Sequence, residues 1–175
     1  YRTLTPQGVL IPNGFAITAQ GYSYILSYNN ALEKLQTILS AMNPKDINSL
    51  QMSGKMCRDI LHKCTLPPDL QEEILQANQT LIAQYGDSLS LAVRSSATAE
   101  DSPEASFAGQ NDSYLNIAGE AALLDAYQRC LASNFTDRSL HYKFDNGYDY
   151  LKVLISVVVM KMVRSDLASS GVMFS

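Results

Sequence analysis

The sequence predicts a mixed α+β (α/β) domain, because helical and strand-like patterns occupy different parts of the chain. Apolar residues recur every three or four positions over about residues 18–86, which is the spacing of amphipathic helices. Residues 152–163 are rich in Val and Ile, as buried strands are. Helices followed by strands mixed with helices favour this class over an all-helical one.

The first half of the chain is predicted to hold four helices after a short extended start. Extended segments flank the turn Pro12-Asn13-Gly14, and Thr18 is placed to cap the first helix. A second helix follows, and Asp46 is a candidate cap for the third. Pro68 suits the first turn of the fourth helix, and Gly86 suits its C-cap.

The second half is predicted to mix strands with helices. A strand that begins at residue 89 is expected to deliver Arg94 at its end, and a hydroxyl-rich loop follows it. The other expected elements, in order, are a strand over 113–117, helices over 120–135 and from 136 or 137 to 147, the strand over 152–163, and the start of a strand over 170–175.

Composition and charge argue against several function classes. A formal net charge of -4 gives no basis for a nucleic-acid surface, and no apolar stretch approaches the ~20 residues that a membrane span requires. The odd set Cys57, Cys64 and Cys130 does not predict a disulfide framework, so buried thiols and a reducing cytoplasmic setting are expected. Neither His62 nor His141 lies in a metal-like cluster.

The hydroxyl-rich run "RSSATAEDSPEASFAGQ", which begins at Arg94, is a candidate anion-binding segment. The planar fork of an arginine matches phosphate oxygens, and small residues such as Gly109 let backbone N–H groups approach the same anion. On composition alone, a phosphate-binding loop and a solvated linker both stay open. Glu100, Asp101 and Glu104 could hold Mg²⁺, although a solvated loop face is the commoner role of such a cluster.

The end of the 152–163 strand is a second candidate site. Backbone N–H and C=O groups at a strand end can bind a purine while apolar side chains cover its ring. The run Met160-Lys161-Met162-Val163 has this composition. The same four residues are explained equally well as the plain end of a strand.

Two long blocks of the sequence have to be explained together. The first is "VRSSATAEDSPEASFAGQNDSYLNI", from Val93, and the second is "MVRSDLASSGVMFS", from Met162. Both resemble the N-terminal nucleotide-binding domain of the phosphoenolpyruvate synthase (pyruvate, water dikinase) family. The segments "VLIPNGFAITAQGY" and "NFTDRSLHYKFDNGYDY" fit the same family. The resemblance implies a single, incomplete ATP-grasp domain, with a helical scaffold over about 18–86 and nucleotide-site elements over about 87–175.

The resemblance also implies roles for individual residues on the phosphate side of the site. Arg94 matches the family arginine that holds the ATP phosphates. Gly109 and Ser113 match positions in the glycine-rich segment that closes over the nucleotide, and relatives often carry Thr at position 113.

On the adenine side, Lys161, Met162 and Val163 match the hinge that meets the base. Met160 departs from the family pattern, because relatives usually carry glutamine there. A side-chain hydrogen bond from position 160 to the nucleotide is therefore not expected, whereas backbone contacts are.

The activity implied by the resemblance uses ATP and Mg²⁺ to phosphorylate a histidine on a separate swivelling domain. That phosphohistidine would phosphorylate pyruvate on a third domain, with AMP, phosphate and phosphoenolpyruvate as products. The phosphorylated histidine and the metal-holding residues would lie outside these 175 residues, and neither His62 nor His141 matches the former. We therefore expect the chain alone to be inactive and to bind ATP weakly.

Other readings stay open. The chain could come from a relative with another acceptor, such as a rifampicin phosphotransferase or a pyruvate, phosphate dikinase. It could also be a stand-alone nucleotide-binding module, and a homodimer is one option for the full-length protein.

Overall fold

In the computed structural model, residues 5–9, 11–97, 112–164, 167, 169 and 171 are described. Helices and one four-stranded antiparallel sheet build this part of the chain, which agrees with the predicted α+β class. The strands are β1 (Gly14–Ile17), β2 (Leu91–Ala97), β3 (Ser113–Ile117) and β4 (Ile155–Lys161). The α-helices are α1 (Ala19–Tyr28), α2 (Leu32–Ala41), α3 (Ile47–Lys63), α4 (Pro68–Tyr85), α5 (Glu120–Ala132) and α6 (Asp137–Asp145). Short 3₁₀ segments cover Thr5–Gln7 and Ser133–Phe135.

Side-chain caps begin two of the helices. The carboxylate of Asp46 accepts a hydrogen bond from the N–H of Asn48 at 3.0 Å, which confirms the predicted cap of α3. The hydroxyl of Thr136 accepts from the N–H of Ser139 at 3.2 Å and starts α6. Thr18 precedes α1 in an extended conformation, but its side chain caps no amide of the described chain.

Strand β4 occupies the interior of the sheet, whose order is β1-β4-β2-β3 with antiparallel neighbours throughout. It pairs with β1 on one side and β2 on the other, so that Val158 lies opposite both Ala16 and Arg94. Both partners are distant in sequence. The position of β4 therefore depends on long-range pairing on both of its edges.

One face of the sheet is buried against the helices. Val157 and Val159 of β4 are 0% exposed and belong to the same core as Tyr22 of α1 and Leu123 of α5. Side chains alternate along a strand, so the residues between them point to the opposite face. That opposite face, called the open face below, carries Val158 and the residues paired with it.

Three strand predictions need correction. Strand β2 continues to Ala97 because β4 runs beside it as far as Ile155, so Arg94 lies in the middle of a strand and not at its end. Strand β4 begins at Ile155, three residues later than expected, since the N–H of Lys152 closes a turn on the carbonyl of Asp149 at 3.2 Å. It also ends at Lys161, so positions 162 and 163 lie beyond it. The predicted strand over 170–175 lies outside the described residues, apart from position 171.

A buried polar network holds the chain segment that leads into β4. The ammonium of Lys143, on α6, donates to the main-chain and side-chain oxygens of Asn134, at 2.7 Å each. The amide group of Asn134 donates to the carbonyl of Val153 at 3.0 Å, and Ser139 donates to the carbonyl of Asn134 at 3.0 Å. Lys143 and Asn134 are both 0% exposed. The network thus ties α6 and the 3₁₀ segment to the residues just before β4.

Burial gives this network a pH dependence. Desolvation lowers the pKa of Lys143 from 10.5 to about 7, and the partial charge of the nearby Cys57 thiol opposes that shift. Between about pH 7 and 10.5 the unfolded chain binds a proton that the folded chain does not, so stability rises with pH in that window. Burial also raises the pKa of Cys57 from 9.0 to about 12, which lowers stability once the pH exceeds 9.

We predict that the free energy of unfolding rises between pH 7 and 8.5, by up to about 1.4 kcal/mol per pH unit, because of Lys143. The Lys143→Met variant should lack this slope, because it has no group to deprotonate. Urea titrations of both proteins across this pH range measure the difference. Equal slopes in the two proteins would contradict the assignment.

Candidate functional site

The open face of the sheet is the candidate site, because the strand register brings three of the sequence-predicted residues there: Arg94, Ser113 and Met160. Ala92, Arg94 and Ser96 of β2 lie beside Met160, Val158 and Ser156 of β4, in that order, and Ala16 and Gly14 of β1 complete the face. Arg94 and Ala16 are exposed, whereas Val158 and Met160 are half-buried. This face therefore combines an apolar floor on β4 with a cationic group on β2.

Arg94 is a residue of β2, which has β4 on one side and β3 on the other. It is opposite Val158 of β4 on one side and Ser113 of β3 on the other. Arg94, predicted to hold the ATP phosphates, thus lies beside Ser113, predicted to belong to the segment that closes over the nucleotide. Within residues 5–9, 11–97 and 112–164, the guanidinium of Arg94 forms no ion pair with a carboxylate, so none of these residues neutralises its charge.

Hydrogen bonds on the helix side of the sheet fix the start of β3. The hydroxyl of Ser95 donates to the carbonyl of Asp112 at 2.8 Å, and the N–H of Asp112 donates to the hydroxyl of Ser133 at 3.2 Å. The Tyr114 hydroxyl donates to the Asp112 carboxylate at 3.3 Å, and Arg138 lies 3.7 Å from the same carboxylate. Because Asp112 immediately precedes β3, these contacts set where Ser113 lies beside Arg94.

The phenol of Tyr114 is held in its neutral form by this environment. Burial raises the pKa of Tyr114 from 10.0 to about 12, the negative charge of Asp112 adds to the rise, and Arg129 opposes it. The Arg129 guanidinium lies 4.1 Å from the centre of the Tyr114 ring, a cation–π distance. Tyr114 therefore acts as a hydrogen-bond donor to Asp112 throughout the physiological pH range.

At the end of β4, the backbone N–H groups of the predicted hinge are already used. The N–H of Lys161 donates to the carbonyl of Asn13 at 3.0 Å, and the N–H of Met162 donates to the carbonyl of Ser90 at 2.8 Å. The Lys161 ammonium lies 4.3 Å from the centre of the Tyr85 ring on α4. These two N–H groups therefore have partners within the chain, and the carbonyl oxygens of Lys161 and Met162 are the hinge groups left to consider.

Several predicted residues are not brought into this site by the described structure. Gly109 and the acidic residues Glu100, Asp101 and Glu104 fall in 98–111, outside the described residues. In the described ranges, no group of three or more His, Cys, Asp or Glu residues could hold a metal ion. Val163 lies just beyond β4 and is 60% exposed.

Sequence reasoning missed Ser156 and Val158 as members of the open face, and it assigned Ser96 to a loop and not to β2. Ser156 donates a hydrogen bond to the carbonyl of Ser96 at 3.1 Å across the strands. The signal was present in the sequence, because alternate residues of a strand share a face and Met160 was already a candidate. The strand register is needed to show that Val158 lies beside Arg94, and the sequence does not give this register.

The cysteines take no part in the site. Cys57, Cys64 and Cys130 are all buried and free, as expected. Burial raises the pKa of Cys57 and of Cys130 to about 12, so both are protonated thiols at neutral pH. Among the helices that the structure describes, none is long and apolar enough to cross a membrane.

Comparisons with known proteins agree with the resemblance read from the sequence. The family model described as pyruvate phosphate dikinase, AMP/ATP-binding domain, matches residues 2–175. The phosphoenolpyruvate synthase of Aquifex aeolicus is 47% identical over 175 residues, which are 99% of this chain and 20% of that protein. The phosphoenolpyruvate synthase of Helicobacter pylori is 46% identical over 100% of this chain and 22% of its own length.

A relative with a different name is nearly as similar. The rifampicin phosphotransferase of Bacillus subtilis is 38% identical over 97% of this chain and 19% of its own length. The chain thus spans about a fifth of the length of the curated relatives that it matches.

We predict that the Ser95→Ala substitution lowers the free energy of unfolding by about 1 kcal/mol, because it removes the hydrogen bond to the Asp112 carbonyl. The Ser113→Ala variant is the matched control, since the Ser113 side chain is exposed, and its change should stay within about 0.5 kcal/mol. Urea denaturation midpoints measure both. A larger loss from the Ser113 variant would contradict the role given to Ser95.

Proposed function

Since the chain belongs to the family of pyruvate phosphate dikinase AMP/ATP-binding domains, we propose that it is the ATP-binding part of a phosphoenolpyruvate synthase. Relatives of that name at 47% and 46% identity support the proposal. The structural observation that carries it is the exposed guanidinium of Arg94 in the middle of the open face.

The phosphates of ATP are proposed to lie over β2 and β3. Arg94 would bind phosphate oxygens through its planar fork of donors, and the hydroxyl of Ser113 would approach the same anion from the neighbouring strand. Gly109 belongs to the proposed set on the resemblance alone. Bound cations and Mg²⁺ neutralise charge in phosphoryl transfer, and Arg94 would supply part of that effect.

The purine is proposed to lie toward the end of β4. Val158 and Met160 form an apolar floor on which a flat ring can rest. The carbonyl oxygens of Lys161 and Met162, together with the backbone of Val163, would meet the edge of the base. Met160 offers no hydrogen-bond donor, so it would act on the ring through contact alone.

Magnesium is proposed to arrive with ATP. The open face supplies a cation and hydroxyls, not the carboxylate oxygens that Mg²⁺ prefers. The family resemblance assigns the metal ligands to the part of the full-length protein beyond these 175 residues. For the same reason, we expect the isolated chain to bind ATP weakly and not to hydrolyse it.

In the proposed reaction of the full-length protein, the bond between the α- and β-phosphates of ATP breaks and AMP leaves. One of the two remaining phosphates is transferred to a histidine on a swivelling domain of the same chain, and water takes the other as inorganic phosphate. The phosphohistidine then phosphorylates pyruvate, so that ATP, pyruvate and water give AMP, phosphoenolpyruvate and phosphate. Neither His62 nor His141 matches the phosphorylated histidine of the family, so neither is proposed as that residue. This reaction would place the protein in pyruvate metabolism and gluconeogenesis.

The setting and assembly are proposals of the same kind. Three free thiols suit a reducing cytoplasm, and a homodimer of the full-length protein is proposed without a described interface. A rifampicin phosphotransferase is the second candidate function, which the 38% identical relative favours. Both functions use the same ATP-binding face and differ in the acceptor.

We predict that the full-length protein, given MgATP and pyruvate, forms AMP, phosphate and phosphoenolpyruvate together. Arg94→Ala should lower kcat/KM for ATP about 100-fold or more, because a charge aimed at the phosphates is lost. Arg129→Ala is the matched control, since it removes an equal charge on the helix side of the sheet and should leave activity within about twofold. No product with pyruvate, but phosphorylated rifampicin with that acceptor, would select the second candidate.

A further inference from the structure

Gly14 occupies a position of the sheet where no side chain fits. It lies on β1 directly opposite Met160 of β4. A Cβ atom built on Gly14 would collide with the carbonyl oxygen of Val159 and would lie 2.8 Å from the Cα and 2.9 Å from the Cβ of Met160. Two of these three atoms belong to the backbone, so a rotamer change in one side chain cannot relieve the clash.

The reason for this glycine differs from that of four other glycines in the chain. Gly8, Gly86, Gly119 and Gly147 have positive φ angles, and a Cβ on any of them would meet no atom within 4 Å. Those positions need the conformational freedom of glycine. Gly14 lies in an ordinary strand conformation and is required only by the close approach of β1 to β4.

The same approach joins β1 to the hinge at the end of β4. The carbonyl of Asn13 accepts from the N–H of Lys161 at 3.0 Å, while the Asn13 side-chain oxygen accepts from the N–H of Gly14 at 3.0 Å. The N–H of Asn13 donates to the Tyr85 hydroxyl at 3.0 Å. The Asn13-Gly14 pair thus connects α4, the end of β4 and the backbone beside Met160.

We propose that Gly14 is a positioning residue of the nucleotide site, whose missing side chain lets β1 approach β4 closely enough to hold Met160 under the purine and the Lys161 carbonyl at the edge of the base. This inference rests on the function proposed above. Any side chain at position 14 would push β1 away from Met160 or turn Met160 out of the floor. It would also lengthen the hydrogen bond between Asn13 and Lys161. Arg94 is on β2, away from β1, so its phosphate contacts would change little.

The test compares two Gly→Ala variants in the full-length protein. Gly14→Ala acts at the open face, whereas Gly54→Ala places a Cβ 2.9 Å from the Phe135 carbonyl oxygen and 3.0 Å from Leu140, between α3 and α6. Both should lower the thermal midpoint. At a temperature where both are folded, Gly14→Ala should raise the Kd and the KM for ATP about tenfold with kcat within about threefold, and Gly54→Ala should change neither.

Each outcome decides the proposal. An unchanged ATP Kd in Gly14→Ala, or equal losses of affinity in both variants, would overturn it, because the effect of Gly14 would then be general stability. If Gly14→Ala does not fold, Asn13→Ala removes the side-chain oxygen that accepts from the N–H of Gly14 and so loosens the position of Gly14 beside β4, and it should raise the Kd about threefold or the proposal fails. If the unmodified protein binds no ATP, both the proposed function and this inference fail. If the unmodified protein binds ATP and the Gly14 and Asn13 variants bind it with the same Kd, only this inference fails.

Discussion

The central place of β4 in the sheet is the constraint on which the rest of the structure depends. Its pairing with β1 and β2 sends Val157 and Val159 into the core and leaves Val158 and Met160 on the open face. A shift of one residue would exchange these two faces. The burial of two valines therefore decides which residues can meet a ligand, and the same register brings Arg94 beside that apolar floor.

Buried hydrogen bonds also position the chain segment that leads into β4. The path from Lys143 through Asn134 to Val153 consists of buried hydrogen bonds, and each of its polar groups would be costly to leave unpaired. Ser95 and Asp112 play the corresponding part for β3. The site thus lies on strands whose ends are positioned by contacts on the helix side of the sheet.

Local patterns predicted the elements well, and long-range contacts account for what they missed. Apolar periodicity and the Asp46 cap predicted the helices because both signals lie within one element. The residues after Arg94 looked like a loop, since serine is a weak strand former, but pairing with β4 extends β2 to Ala97. Lys161 and Tyr85 are far apart in sequence, so no local pattern predicts their contact.

The most direct test of the open face as the nucleotide site is methionine oxidation of the full-length protein with and without MgATP. Met160 lies on the open face, and Met52, 69% exposed on α3, is an internal reference on the helix side. Mass spectrometry of peroxide-treated protein would follow both sulfurs. The account predicts that MgATP slows oxidation of Met160 several-fold and leaves Met52 unchanged. Unchanged oxidation of Met160 in protein that is saturated with MgATP would contradict it.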